Sequence, residues 1–167
     1  MNQDLEYLTE ALPQLGDYLL SKELYWPLKP SLPRLTAGSV LLALSRLEVV
    51  DHFQAQRLRG DLERLQRMWR SAWDKKIVRE TENRLRLWAQ FLEEQEKAEA
   101  PSRAEYAAAV RGRVILQLML QNSPHPQKLV ELDALLRSRF IPGAFVWDEI
   151  YRAVYAPAEF WFLYGNL

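Results

Sequence analysis

Histidine occurs only twice in the chain, as His52 and His125, and cysteine not at all. His52 follows Glu48 by four residues and Asp51 by one, so on a helix Glu48 and His52 share a face. Such a patch holds too few ligands for a metal without help from elsewhere. Neither histidine has a Glu three residues before it, which removes the Glu-x-x-His pairs of carboxylate-bridged di-iron bundles. A surface histidine beside a carboxylate is the ordinary reading of His52. His125, between Pro124 and Pro126, reads as part of a rigid loop. The lack of cysteine excludes thiol nucleophiles, disulfides, Cys-ligated zinc and iron–sulfur clusters. The chain also lacks a Gly-x-Ser-x-Gly elbow, a Gly-rich phosphate cradle and Gly-x-Gly-x-x-Gly. Paired carboxylates in a cleft would suffice for glycoside-type acid–base chemistry, yet helical spacing singles out no pair. No metal, cofactor or catalytic residue is therefore expected, and a carboxylate-only enzyme is the last of three functional readings.

Charge and aromatic side chains point instead to binding. Residues 57–86 carry ten basic groups against five acidic, a local net of +5, whereas residues 87–100 carry four Glu against one Lys, a net of −3. Arg57, Arg64, Arg67, Arg70, Lys75 and Arg79, interleaved with Trp69 and Trp73, have the residue types that hold phosphates and stack bases. By helical angle both Trp lie on or beside the apolar stripe, and the Arg groups are mixed with acids, so a solvated helix face competes with nucleic-acid contact. The +5 and −3 segments also complement each other in an antiparallel dimer.

Two further stretches invite partners. Pro27-x-x-Pro30 and Pro30-x-x-Pro33, with Lys29 and Arg34 nearby, match a ligand for SH3-type grooves, although the flanking Leu and Trp favour intramolecular packing. The last 28 residues hold nine of the 19 aromatics. Trp147, Tyr151 and Tyr155, four apart, would line one helical face, and Phe160, Trp161 and Tyr164 follow. Most are expected in the core, but this segment is the preferred location for a partner-binding surface.

The elements that position these residues are helical. The 167 residues carry no net charge, 49% are apolar and 26% charged, as in a folded globular protein. Leu, Ala, Arg, Glu and Gln dominate, no Asn-Gly or Asp-Gly hairpin signal occurs, and no run alternates convincingly, so the fold class is all-α. The acidic start, Met1-Asn2-Gln3-Asp4, is unlike a signal peptide. The longest uncharged apolar-rich run, Leu35 to Ser45, is far shorter than the ~20 residues of a membrane span. A cytoplasmic protein without membrane contact is expected.

Leu5, Leu8, Leu12, Leu15 and Leu19 mark a first helix over about 3–21, which Pro13 kinks or restarts. Residues 22–35 form a Pro-rich strap without regular structure, pinned through its Leu and Trp side chains. Thr36 caps the next helix, expected to end near Arg59 because Gly60-Asp61 resembles a C-cap followed by an N-cap. From Asp61 to Ala100 no Gly or Pro occurs, which allows one helix of about 60 Å. Its apolar face moves near Trp73-Asp74, so it either breaks there or passes from one packing partner to another; the second reading is preferred.

Ser102-Arg103-Ala104-Glu105 is a capping box for a helix through Gln121, apolar almost all round at Val114–Leu120 and hence central. A helix with Leu129, Leu132, Leu135 and Leu136 stops before Pro142-Gly143. Pro157 is expected to open a short final helix and Gly165 to close it. The expectation is one domain over 1–167, an irregular bundle of six or seven helices with one long, partly projecting helix. Its function is expected to be a non-catalytic protein–protein interaction or adaptor role, with self-association through helix 61–100; nucleic-acid binding by the basic helix is the alternative.

Overall fold

The computed structural model of the chain describes residues 2–97 and 99–167; Met1, and Ala98 of the acidic stretch, lie outside them. The chain is all-α. Among the described residues, six helices of nine or more residues and one of six accompany a single two-stranded sheet. The residues divide into two compact units, Met1–Thr81 and Glu82–Leu167.

In the first unit, Asn2 opens α1 (Gln3–Ala11) by accepting the Asp4 and Leu5 amides at 2.8 and 3.2 Å. Pro13 brings no amide hydrogen, and the chain tightens into a 3-10 turn, Leu12–Gln14, before resuming as α2 (Leu15–Leu20). The first helix is thus restarted at Pro13. The strap that follows is pinned as its side chains suggest. Trp26 and Leu35 exchange backbone hydrogen bonds of 3.0 and 2.8 Å, and the Trp26 indole donates to Gln14 Oε1 at 3.0 Å. Leu32 and Leu35 are buried, while Pro27, Pro30 and Pro33 face solvent.

Thr36 caps α3 (Ala37–Val50), accepting the Ser39 amide at 3.0 Å. A buried carboxylate completes this helix start. Glu80 accepts the Thr36 hydroxyl at 2.8 Å and the Gly38 amide at 2.9 Å, placing negative charge where the α3 dipole is positive. Four residues before Glu80 in the chain, buried Lys76 donates to the carbonyls of Ser21 and Glu23. Its ammonium lies 4.5 Å from the centroid of the Tyr18 ring. Lys76 and Glu80 therefore hold the two ends of the strap.

Helix boundaries between 50 and 70 differ from expectation. Gly60 does not end a helix; it lies inside α4 (His52–Met68), exposed, with open space beside it. The break falls earlier, at Asp51 (φ −151°, ψ 82°), whose carboxylate accepts the Gln54 amide at 3.1 Å. A side chain that caps from outside the helix outweighs the modest cost of a solvent-facing glycine. The next break is at Trp69 (φ −121°, ψ 38°) and not at Trp73-Asp74. Arg70–Lys97 then forms α5, continuous over 28 residues. Residues 70–81 belong to the first unit and 82–97 to the second, which accounts for the shift in its apolar face.

In the second unit, Ser102 and Glu105 make the capping box of α6 (Arg103–Met119). The helix buries Tyr106, Val110, Val114, Ile115 and Leu116, and its Tyr106 ring meets Phe140, just past α7 (Gln127–Arg139). Arg113, only 1% exposed, donates from Nε and one terminal nitrogen to the two Asp133 oxygens at 2.9 Å each. Its guanidinium stacks 4.3 Å from the Phe162 ring.

The C-terminal segment is not helical in the way expected. Ile141–Phe145 (β1) pairs antiparallel with Tyr164–Asn166 (β2), strands too short to show alternation. Residues 149–153 form a 3-10 turn capped by Asp148, and Pro157 lacks the amide that would extend an α-helical ladder there. No helix runs from Pro157 to Gly165; a turn at 157–159 leads into a 3-10 turn, Trp161–Leu163. Gly165 serves the sheet: its φ is +146°, and a Cβ there would sit 2.2 Å from the Ile141 carbonyl oxygen.

Two stability measurements check this description. Glu80→Gln replaces one acceptor by a donor facing groups that already donate, and should cost about 2–3 kcal/mol in urea unfolding. Burial pushes the Tyr18 and Tyr106 hydroxyls well above the ordinary tyrosine value, with the Glu80 charge adding to it at Tyr18. Both groups keep their protons longer when folded, so their contribution is intact below about pH 10 and declines above it, by about 1.4 kcal/mol per pH unit for each. Lys76 has the opposite sign, because burial lowers its value, and its effect is complete by about pH 10.5. Urea midpoints should fall steeply above that pH, and Tyr18→Phe should flatten the fall in the first unit.

Candidate functional site

The break at Trp69 shapes a groove in the first unit. Trp69 keeps both helical bonds, donating to Leu65 and accepting from Trp73 at 2.9 Å each, while its own backbone leaves the helical region. Its indole packs against α2, with Nε1 at 3.5 Å from where a Gly16 Cβ would lie. Beside it the end of α2, the end of α4 and the start of α5 enclose a groove of about 720 Å³. Its apolar lining is Leu19, Leu20, Met68, Trp69 and Ala72. Leu20 is 60% exposed and Met68 63%, and both lie in this one concave surface. The charged lining is Lys22, Arg70, Lys75, Lys76 and Arg79, without a carboxylate.

These five cations have different duties. Lys76 is built into the fold through its two carbonyl bonds, and burial lowers its pKa, with the neighbouring Arg79 adding to the effect. Arg79 is exposed at its surface but donates to the Lys22 carbonyl at 3.1 Å. Both donate to carbonyls just past the C-terminal end of α2, where the helix dipole favours positive charge. Arg70 and Lys75 project into solvent. Arg70 approaches Asp74 only loosely, at 3.9 Å with both side chains more than half exposed, a pairing of little worth.

Sequence reading named six cations, and the structure divides them. Arg70, Lys75 and Arg79 share the groove. Arg57 and Arg64 line a different, smaller depression with Leu12 and Pro13; Arg57 donates to Gln54 and Arg64 to Asp61, both at 2.9 Å. Arg67 is exposed and lines neither. Trp73 is in the core. Missing from that reading were Lys22, Lys76, Leu20 and Met68. Met68 did carry a signal: it falls outside the stripe of Leu65, Trp69 and Ala72, an apolar residue on the polar side.

The six C-terminal aromatics lie together in the second unit, largely spent on one another. Tyr155 and Phe160 are buried, with ring centroids 5.0 Å apart, and Tyr155 meets Trp147 edge-on at 5.5 Å. The Trp147 indole donates to Ala107 at 2.9 Å, and the Tyr164 hydroxyl donates to the Tyr155 carbonyl at 2.5 Å. Trp161 lies between the Phe140 ring and the Arg137 guanidinium, 3.8 Å over its face. Tyr151 is half-buried in the 3-10 turn. Contact with a partner through Tyr155 or Phe160 would require opening this cluster.

The reactive groups stay dispersed. His52 Nδ1 lies 2.6 Å from Glu48, which also accepts Gln56 and faces Arg59 at 3.8 Å. Among the described residues no three His, Cys, Asp or Glu side chains gather as metal ligands would. One groove in the second unit carries two carboxylates, Glu82 and Glu93. They are three turns apart on α5, about 16 Å along its axis, well beyond the ~5–9.5 Å of paired glycosidase carboxyls. Among the described residues no helix is long and apolar enough to cross a membrane. No protein-family model matches the chain, and neither a curated protein nor a solved structure is significantly similar to it.

The division of labour among the cations is measurable. Arg70→Glu with Lys75→Glu should leave urea stability within about 0.5 kcal/mol of the parent, as surface changes do. Lys76→Met, which removes two charge-assisted hydrogen bonds to the Ser21 and Glu23 carbonyls, should cost about 2–3 kcal/mol.

Proposed function

We propose that the protein is a non-catalytic interaction or adaptor protein whose partner seats in the groove between α2, α4 and α5. The observation that carries this reading is the pair Leu20 and Met68, large apolar side chains standing in solvent within a concave, uniformly basic setting. Exposed apolar surface rimmed by charge is the usual mark of an interface. The C-terminal aromatics expected from the sequence to meet a partner are largely packed on one another, whereas the groove has apolar side chains already exposed. The dispersal of histidines and carboxylates supports a binding role over turnover. Nucleic-acid binding is a second reading, favoured by Arg70, Lys75 and Arg79 sharing this groove with Trp69. Self-association through α5 makes a second copy a further candidate occupant.

A photoreactive residue in place of Ser71, which is exposed and lines the groove, tests the reading in cells that make the protein. A discrete protein adduct is expected from position 71 and not from Glu131 on α7, and Met68→Asp should abolish it. Adducts only to nucleic acid would favour the second reading, and an adduct of two copies of this chain would identify self-association. Equal labelling from both positions would overturn the proposal.

A further inference from the structure

The chemistry of the groove specifies its occupant more closely, on the premise that the groove is a protein-binding surface. We infer that it takes an acidic amphipathic segment of another protein, one that presents carboxylates on one side and large aliphatic side chains on the other. Five cations and no carboxylate line the groove, so a neutral or basic segment would bury positive charge without compensation. Lys76 and Arg79 already serve the Ser21, Lys22 and Glu23 carbonyls that follow α2. Arg70 and Lys75, both on the first turns of α5, and Lys22 just after α2, all three exposed, are the ones placed to meet partner carboxylates.

The apolar half decides between anionic partners. Leu20 and Met68 offer aliphatic and thioether surface, which packs against Leu, Ile or Met side chains. Bases need aromatic faces to stack on, and the one aromatic in the lining, Trp69, has its indole packed against α2. A membrane surface would meet a convex or flat basic patch, and this one is concave over about 720 Å³. A second copy of the chain is disfavoured by its own acidic stretch: among residues 87–97 the one large apolar side chain exposed is Leu87, a single anchor two turns before Glu94. The groove thus selects by requiring both features at once.

The test uses the full chain and fluorescently labelled synthetic helices read by anisotropy. One helix carries Glu and Leu on opposite faces; a second replaces Glu by Gln, and a third replaces Leu by Ala. The Glu/Leu helix should bind at least tenfold more tightly than either, a difference of about 1.4 kcal/mol. Raised salt should weaken it, as should Met68→Ser. The double variant Arg70→Glu with Lys75→Glu should lose the Glu/Leu helix and gain a Lys/Leu helix. Equal binding of the Gln/Leu helix would overturn the inference. So would tighter binding of a single-stranded oligonucleotide, or of phosphatidylglycerol vesicles, with the same dependence on Arg70 and Lys75. If no helix binds while the position-71 adduct to another protein persists, the partner chemistry is wrong and the interaction role stands. Loss of both removes the two together.

Discussion

The first unit depends on a carboxylate in a place where carboxylates are rarely tolerated. Glu80 is fully buried, yet its oxygens accept the Thr36 hydroxyl and the Gly38 amide at the head of α3. Burying a charge is costly unless its hydrogen-bonding capacity is met and its field is opposed; the helix start does both. Lys76, one turn away, supplies the opposite charge just past the tail of α2, where it donates to the Ser21 and Glu23 carbonyls and positive charge is welcome. Two side chains of one helix thereby fix where the strap leaves and where it arrives. The stretch between them, three prolines included, is held by those endpoints, by Trp26, Leu32 and Leu35, and by the Tyr18 and Tyr7 hydroxyls, which donate to the Leu24 and Arg34 carbonyls.

The second unit is organised around a cation in the same spirit. Arg113 satisfies Asp133 with two parallel bonds and covers the Phe162 ring, and the Tyr106 hydroxyl donates to the Phe162 carbonyl at 2.6 Å. The C-terminal segment is held by such bonds from α6 more than by regular structure of its own. Aromatic rings suit this task, since each brings a large buried area and, in Trp and Tyr, a polar end that seeks a carbonyl. Density of aromatics near the C-terminus therefore signals the closing of a core, and their hydrogen bonds to Ala107 and Tyr155 explain why so few are free.

What could be read from the sequence was local. The Thr36 cap, the Ser102–Glu105 box, the interruption at Pro13 and the helical class all rest on a few adjacent residues. The misplaced boundaries came from weighing Gly60 above Asp51: a glycine on a solvent face costs little, while a capping carboxylate supplies an alternative bond to the backbone. Trp69 has no breaker beside it, and its departure from helical geometry is set by packing. Lys76 and Glu80 were counted among solvated charges, because their partners lie more than forty residues away in sequence. The groove was half legible. Its cations were visible as a net charge, but their division between Lys76, serving carbonyls, and Arg70 or Lys75, serving solvent, depends on where α2 ends.

Fixing the strap at both ends has a further consequence for its tip. Lys29, Pro30 and Ser31 are exposed, and the Leu32 amide closes back on the Lys29 carbonyl at 3.0 Å. No core contact is interrupted between Pro30 and Ser31, so added residues there would loop outward, and doubling such a loop costs only about 0.6 kcal/mol of closure entropy. That peptide bond is a natural port for grafting an epitope, a fluorescent label or a short recognition sequence, carried on a stem whose base the α5 helix already holds shut.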